Sequence, residues 1–535
     1  MTEWPYPDKH LSARAAADLI APGQSVFFSG SGGGHLVPEA VIIALAERFQ
    51  DTGAPRDLCL GSVVSLGDWD STGFGRLALP GLARRVISAG FNNCPPIAAQ
   101  AVANEIEAYT LPQGVLSQLM REAAAGRPGL VTEIGLGTFV DPRLSGGKQS
   151  TRTTQDLVEV VQVGGRECLF YAAPKIDVAV IRGSTADEAG NITLEDEAIF
   201  GEVFAMACAA RRNGGRVICQ VKRMAQTGTL HPKAVKVPGV LVDNIVVVPD
   251  QMQTYQTGYN PGYAGALKVP TRDINALPHD VRKIIARRAA MELFPDAVVN
   301  IGFGVSIGIT SIAAEEGFLD RICLTVEQGL FGGAPALGKD FGTGVNYAAM
   351  IDQPSQFDFY DGGGLDMAFL SFAQVDRHGN VNVSRYGKHI TGPGGFINIS
   401  QGTRKVTFSG TLTTGGLDIH PEAGGMKIAS EGRVHKFVQD VEQITFSGDA
   451  ARARGQDITY ITDRAVFRLG ADGLMLTEIA PGVDLDRDVR QQIGFEVAVA
   501  DQIKTMDARV FNEGAMGWRE AFLARGRDAS EGADR

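Results

Sequence analysis

Nothing in this sequence stays apolar for long. No segment offers the ~18 uninterrupted apolar residues that a membrane-crossing helix needs. The opening stretch, MTEWPYPDKHLSARAAADLI, holds no cleavable apolar core. A membrane span is therefore not expected. Cysteine is sparse. The six residues (Cys59, Cys94, Cys168, Cys208, Cys219 and Cys323) are scattered, form no C-x-x-C pair and mostly sit in apolar runs. They read as reduced core thiols, as in a cytoplasmic protein. The eight histidines show no H-E-x-x-H or similar spacing, so no metal site is expected. Positive charge is in deficit as well: 50 Lys and Arg against 61 Asp and Glu leave a net charge of −11. That balance argues against a nucleic-acid partner. A polyanionic ligand would have to be held by local Lys or Arg groups and by helix N-termini.

What the sequence does have is length and internal repetition. At 535 residues it exceeds what one hydrophobic core usually serves. Hydrophobic residues make up 44% and charged residues 21%, close to globular averages, so disorder is expected only at the ends, chiefly in the polar tail 525–535. Ala13-Arg14, Ala16-Ala17 and Pro22 recur as Ala286-Arg287, Ala289-Ala290 and Pro295, at a constant offset of 273. SVFFSGSG (25–32) answers to AVVNIGFG (297–304) with a one-residue slip. KIDVAVIRGSTADEAGNIT (175–193) answers to GLDMAFLSFAQVDRHGNVN (364–382) at an offset of 189, so the first half carries roughly 84 extra residues in between. Ser12–Ile20 and Lys283–Phe294 have helical apolar spacing, and each leads into a β-rich run and a glycine turn. Short continuous apolar runs, as buried parallel strands require, fall at 177–181, 217–221, 244–248, 298–301, 322–326, 367–370 and 405–408. The expected architecture is α/β, with two tandem, related three-layer αβα domains and mainly parallel sheets. We expect an N-terminal domain over 1–250, a Gly-, Pro- and Tyr-rich linker over 251–279, and a C-terminal domain over 280–524.

The most informative stretch is LTVEQGLFGGAPALG (324–338). It reads as a buried strand ending in a glycine-rich turn, with Glu327 at the strand's C-terminal end. A carboxylate there can attack an activated acyl group while loop N–H groups stabilise the oxyanion. The same residue could instead be a strand-end acid paired with an Arg or capping a helix. Gly302-Phe303-Gly304, between a strand and the helix-like 306–316, is placed to hold a phosphate or a thioester tail on backbone N–H groups, although such turns also serve packing alone. Asn191 and Asn380 most simply close D-x-x-G-N turns. Gly362–Gly364 is equally a ligand-proximal run or a tight bend. His35 reads as a satisfied loop histidine.

VEQGLFGG resembles the catalytic signature of the family I coenzyme A transferases, in which a Glu-X-Gly turn carries the nucleophilic glutamate. Val326 and Gln328 depart from the commoner Ser-Glu-Asn-Gly form, at positions where the propionate/acetate branch also varies. The resemblance runs from about residue 11 to about residue 500. It takes in LPQG (111–114), GLGTFVDPR (135–143), ADEAGNIT (186–193), FDFYDGGGLD (357–366), GPGGFINI (392–399) and YITDRAVF (460–467), in that order. It implies two fused domains with the active site between them and Glu327 as catalytic nucleophile. It also implies that Gly392, Gly394 and Gly395 lie against the coenzyme A arm and that Gln113 sits near the substrate carboxylate; Gly302 and Gly304, read from their strand-to-helix turn, are further candidate cofactor contacts. Gly30–Gly34, followed by HLVPE, resembles the family's first signature. Gly30 and Gly32, together with Gly332 and Gly333, are candidate oxyanion and substrate contacts.

The implied reaction is ping-pong transfer of coenzyme A from a short-chain acyl-CoA (acetyl, propionyl, butyryl or 3-oxoacyl) to a free carboxylate such as acetate. It passes through a glutamyl-CoA thioester, with no permanently bound cofactor, in a homo-oligomer (dimer or tetramer). A Rossmann dehydrogenase is the tempting misreading of Gly30–Gly34, but the G-x-G-x-x-G form is not met: position 35 is His, and Glu39 and Glu47 fall within the following helix. An acyl-CoA thioesterase using the same Glu327 stays open. So do the α-subunits of citrate lyase or malonate decarboxylase, although Glu327 in its glycine turn argues against them. A non-catalytic coenzyme A or sugar-phosphate sensor of the same fold would usually carry a DNA-binding appendage, and no basic helix-turn-helix segment is evident. A sugar-phosphate isomerase of this fold would be about half as long.

Overall fold

The computed structural model describes residues 9–270 and 277–525. Each half is built on one large sheet. In the first half seven strands, all parallel to their neighbours, run in the order Asn244–Val247, Arg216–Val221, Val178–Arg182, Ser25–Phe28, Leu58–Ser62, Ala83–Ser88, Glu107–Thr110. The second half repeats the first five of these positions. Asp457–Ile461, Lys405–Ser409, Met367–Ser371, Val298–Ile301 and Cys323–Val326 lie side by side and parallel in a ten-stranded sheet. Strand starts at Ser25 and Val298, and at Val178 and Met367, reproduce the offsets of 273 and 189 residues. The extra residues of the first half supply Ala83–Ser88, Glu107–Thr110 and a separate three-stranded sheet (Gly129–Thr132, Val158–Val163, Arg166–Ala172). In the second half the strand after the second position turns back instead, so Leu330–Phe331 pairs antiparallel with Cys323–Val326.

The central parallel strands of both sheets are covered on both faces, which is why they are apolar throughout rather than alternating. In Ser25–Phe28, Val26 and Phe28 join a core with Ala16, Ile42 and Leu45, while Phe27 points into the opposite core with Leu116, Leu119 and Met206. In Met367–Ser371, Met367 and Phe369 pack with Ile285 and Ile309, and Ala368 and Leu370 with Phe357 and Phe396. The chain thus forms two tandem αβα domains. The repeated opening helices are Ala13–Asp18 and Val281–Ala290, each capped by a side chain. Ser12 accepts from the Ala15 N–H, and Asp280 from those of Arg282 and Lys283. The repeated D-x-x-G-N turns match down to their side chains. Asp187 accepts from Asn191, and Asp376 from Asn380, through both backbone and side-chain amides. The two asparagines then accept from Gly239 and Gly448, so these turns are structural in both halves.

The expected linker is more than a spacer. Residues 251–270 carry no helix or strand, yet Gln251, Gln253 and Thr254 are buried. Thr254 and Thr257 donate to opposite oxygens of Asp340, and the Tyr255 N–H donates to the Gly33 carbonyl. Residues 271–276 and the tail beyond Arg525 lie outside the described residues. Among the described residues no helix is long and apolar enough to cross a membrane.

Candidate active site

Strand Cys323–Val326 ends where the next strand, Leu330–Phe331, begins its return, leaving Glu327-Gln328-Gly329 as a three-residue turn. The Gly329 N–H closes it on the Val326 carbonyl, with Gly329 at φ +114°. A Cβ there would strike the Ile351 carbonyl, so only glycine completes this turn. The turn holds Glu327 at the end of a parallel strand, where it lines a cleft of about 1150 Å³ between the two halves. Burial pushes the Glu327 carboxyl above its ordinary range. Its own backbone N–H and the Gln328 amide offset this in part. No Lys or Arg among the described residues pairs with it, and it caps no helix, which removes the structural reading of this acid.

Loops from both halves form the rest of the cleft. Gly302-Phe303-Gly304 follows strand Val298–Ile301 and precedes a 3₁₀ turn and the helix Gly308–Glu315. Gly392-Pro393-Gly394-Gly395 leads into the helix Phe396–Gly402. Gln113 opens the helix Gln113–Ala124, its N–H donating to the Gly394 carbonyl at 2.9 Å, so the first half's LPQG meets the second half's GPGG directly. From the first half's glycine loop Ser31, Gly32 and Gly33 reach the cleft. A Cβ on Gly33 would collide with the Lys339 carbonyl of the opposite half, so the loop must be bare to let the halves close. Among the described residues the backbone N–H groups of Gly32, Gly33, Gly304 and Gly395 reach no acceptor. Three amide atoms in the walls, Gln113 Nε2, Asn300 Oδ1 and Gln328 Oε1, are buried with no partner among the described residues.

Of the residues singled out from sequence, Glu327, Gln113, Gly32, Gly302, Gly304, Gly392, Gly394 and Gly395 line this one cleft. Gly30, Gly332 and Gly333 are not among its lining residues. Gly30 packs against Val37 and the His35 carbonyl. Gly332 bonds back to the Leu324 carbonyl, and a Cβ on Gly333 would hit the Val345 carbonyl. These glycines serve the turns that support the loops. Gly362–Gly364 is a bend after the helix Gln353–Asp361, with Gly363 at φ +81°. His35 lies behind the glycine loop, its Nε2 3.1 Å from the Asp340 carbonyl, and desolvation lowers its pKa to about 4. It is a buried, neutral residue that does not line the cleft.

Sequence reasoning did not single out Ser31, Asn92, Asn93, Phe303, Tyr386, Lys388 and His389, all of which line the cleft. Ser31 and Phe303 sit inside the glycine motifs and were within reach. The other five belong to loops with no local chemical pattern. Beneath the Glu327 turn, Tyr360 donates to Thr325 at 2.8 Å and receives a bond from Asn300, fixing the strand end from below. Among the described residues no cluster of three or more His, Cys, Asp or Glu side chains is arranged to hold a metal ion.

Comparison with known proteins agrees with this geometry. The sequence model of the family described as coenzyme A transferase matches residues 10–248. The chain is 45% identical to the caffeate CoA-transferase of Acetobacterium woodii over 513 residues, covering 94% of this chain and 98% of that protein. It is 44% identical to the acetate CoA-transferase YdiF of Escherichia coli K12 over 509 residues, covering 95% and 96%. The solved structures of the acyl-CoA transferase YdiF of E. coli O157:H7, as apoenzyme and as a thioester complex with CoA, superpose with TM-scores of 0.91 and 0.90. Both are 44% identical and cover 95% of this chain and 97% of theirs. The putative citrate lyase α-subunit of Streptococcus mutans, at 14% identity and TM-score 0.52, shares the fold alone.

Proposed function

The chain belongs to the coenzyme A transferase family, and on that premise we propose that it moves coenzyme A between a short-chain acyl-CoA and a free carboxylate such as acetate, with Glu327 as nucleophile. The observation that carries this reading is the Glu327 turn: a half-buried carboxylate with no cationic partner among the described residues, at a strand end, facing glycine loops from both halves. In the first step a Glu327 oxygen attacks the thioester carbonyl. The C–S bond breaks, giving an acyl-glutamyl anhydride and CoA thiolate. The thiolate then attacks the Glu327 carbonyl, and the donor leaves as its carboxylate. The glutamyl-CoA thioester remains, and an acceptor carboxylate runs the same two steps backwards. One thioester replaces another, so no redox equivalent is consumed.

Two features of the cleft suit this route. The N–H groups of Gly32, Gly33, Gly304 and Gly395, without acceptors among the described residues, are the candidate donors to the two oxyanions. The closure of Gly33 against the 338–342 loop narrows access to water, which would hydrolyse both intermediates. Relatives that act on acetate and on caffeate are about equally similar to this chain, so sequence distance does not select the acyl group. We retain small saturated acyl groups as the first donors to assay. The boundaries 1–250 and 280–524, a homo-oligomeric state and a cytoplasmic location complete the proposal.

The test is to incubate the enzyme with acyl-CoA and no acceptor, then measure intact mass. A covalent adduct of CoA less one water, on the peptide containing Glu327, is expected, and acetate should discharge it as acetyl-CoA. Absence of an adduct would indicate direct transfer. Discharge without acetate would indicate a thioesterase.

A further inference from the structure

A second cavity, of about 670 Å³, lies on the seam between the halves and shares no lining residue with the cleft. The first half contributes its small three-stranded sheet, through Val131, Val163 and Cys168. Val131 and Val163 are 45% and 50% exposed, so this apolar surface is left in water rather than packed into a core. The second half contributes three helix ends. Asp361 closes the helix Gln353–Asp361, Gln401 and Gly402 close Phe396–Gly402, and Arg454 caps Gly448–Ala453.

Two acids and two arginines line this cavity, and three of the four are already answered. Asp361 accepts from Gln118 Nε2 at 2.9 Å and from Asn398 at both oxygens. Arg166 Nε donates to Glu133 at 2.7 Å, so that acid and that cation neutralise each other. Arg454 is the remainder. Its Nε and Nη2 donate to one neutral acceptor, Gln456 Oε1, at 3.2 and 3.0 Å, and among the described residues it forms no ion pair. Glu133 attracts it only at long range. Gln456 is itself anchored, donating to the Ser400 and Thr403 carbonyls at 2.8 and 2.5 Å. The guanidinium is thus held beside the cavity with its charge unanswered.

We propose that this cavity is a second site for a short-chain carboxylate, outside the catalytic cleft, with the anionic head on Arg454 and the alkyl body over Val131 and Val163. A guanidinium held on one side by a neutral amide presents its remaining N–H groups to a carboxylate in matching geometry. An inorganic anion would pair with the guanidinium but leave both valines in water, whereas an alkyl chain covers them. The choice of carboxylate, as acceptor or as released donor acid, rests on the transferase reading above. The cavity and its unanswered cation do not. Position gives binding a consequence. A ligand here touches both halves at once, and Asp361 leads through Asn398 and Gly114 to Gln113 in the cleft. Occupancy therefore braces the seam on which the placement of Gln113 depends.

Hydrogen exchange read by mass spectrometry, with propionate as the probe and no CoA present, tests the site. Segments 129–134 and 160–168 contain cavity residues and no cleft residues, so protection there separates this site from the cleft. With propionate at about nine times its dissociation constant, exchange that requires the empty site should slow about tenfold. Arg454→Gln removes the cation, and Val163→Glu sets a second carboxylate at an exposed position of the opposite half. Each should abolish the protection of 129–134, while Arg454→Lys should keep a weaker, salt-sensitive part of it. Inorganic phosphate at equal ionic strength should protect neither segment. Absence of protection in the wild type, or undiminished protection in Arg454→Gln, would overturn the site; equal protection by phosphate would overturn the carboxylate class. Acyl-CoA transfer is assayed alongside. Protection by propionate without any transfer would sink the transferase reading and leave the site standing.

Discussion

The side-chain carbonyl of Asn398 accepts the backbone N–H of Gly114 at 3.1 Å, joining a helix of the second half to the first turn of the helix Gln113–Ala124 in the first. The other end of the same amide donates to both Asp361 oxygens, at 3.0 and 3.1 Å, so its orientation is fixed. Gln113, one residue before Gly114, is thereby set opposite Gly394 by a bond that crosses the seam. A side chain at 114 has no room, since a Cβ would collide with the Asn398 amide and the Phe357 ring.

That seam makes a first prediction. Gly114→Ala should lower both stability and kcat/KM by forcing the halves apart beside Gln113. Asn398→Ala leaves the Gly114 N–H without its partner and the Asp361 carboxyl held by Gln118 Nε2 alone, a cost of about 1–3 kcal/mol. Denaturant unfolding and steady-state kinetics check both. A Gly114→Ala enzyme of wild-type stability and activity would contradict the geometry.

Glu327→Gln should abolish exchange by several powers of ten while leaving the melting profile intact, because a carboxamide cannot form the anhydride. In the wild type, kcat/KM should fall on the acid side as Glu327 is protonated. Burial raises this carboxyl, so the limb should lie above the usual carboxylate range. A pH–rate profile flat through that range would remove Glu327 as the ionised nucleophile.

Glu202 should govern stability against pH. Desolvation raises its pKa to about 8, offset in part by its own backbone N–H, and among the described residues no other residue bonds either carboxyl oxygen. The folded chain therefore holds a proton that the unfolded chain releases near 4.5. This contribution to stability is full below about 4.5 and declines as pH rises to about 8. The slope is at most ~1.4 kcal/mol per pH unit. Asp361, raised to about 6 by burial, acts in the same direction over a narrower window. Glu202→Gln should flatten the dependence. Melting curves from pH 5 to pH 8.5 would test it, and an unchanged slope in the variant would refute the assignment.

A homo-oligomer is expected, since closed dimers and tetramers are the usual state of soluble oligomeric enzymes. Light scattering at micromolar concentration should give a multiple of the 56.8 kDa chain mass. A monomer mass would contradict it.

The two tandem αβα domains were legible in the sequence because parallel strands buried on both faces must be apolar throughout, and a repeated fold keeps its spacing. The offsets of 273 and 189 residues are the distances between equivalent strands. The Glu327 turn was legible too, since a lone carboxylate between an apolar run and crowded glycines is a local pattern. Glycine alone, however, does not say whether a bare backbone faces a ligand or another backbone. Gly32 and Gly395 line the cleft, whereas Gly30, Gly332 and Gly333 resolve close approaches within the chain.

Everything that depends on the two halves meeting was decided by tertiary structure. The Gly33 contact with the 338–342 loop, the Gln113 bond to Gly394 and the Asn398 bond to Gly114 join residues separated by up to some three hundred positions. No local periodicity encodes such pairs. Sequence determined the strands, the turns and the position of Glu327, because these follow from backbone sterics and local burial. Which groups surround that acid followed only once the packing of two cores had brought their loops to a common edge.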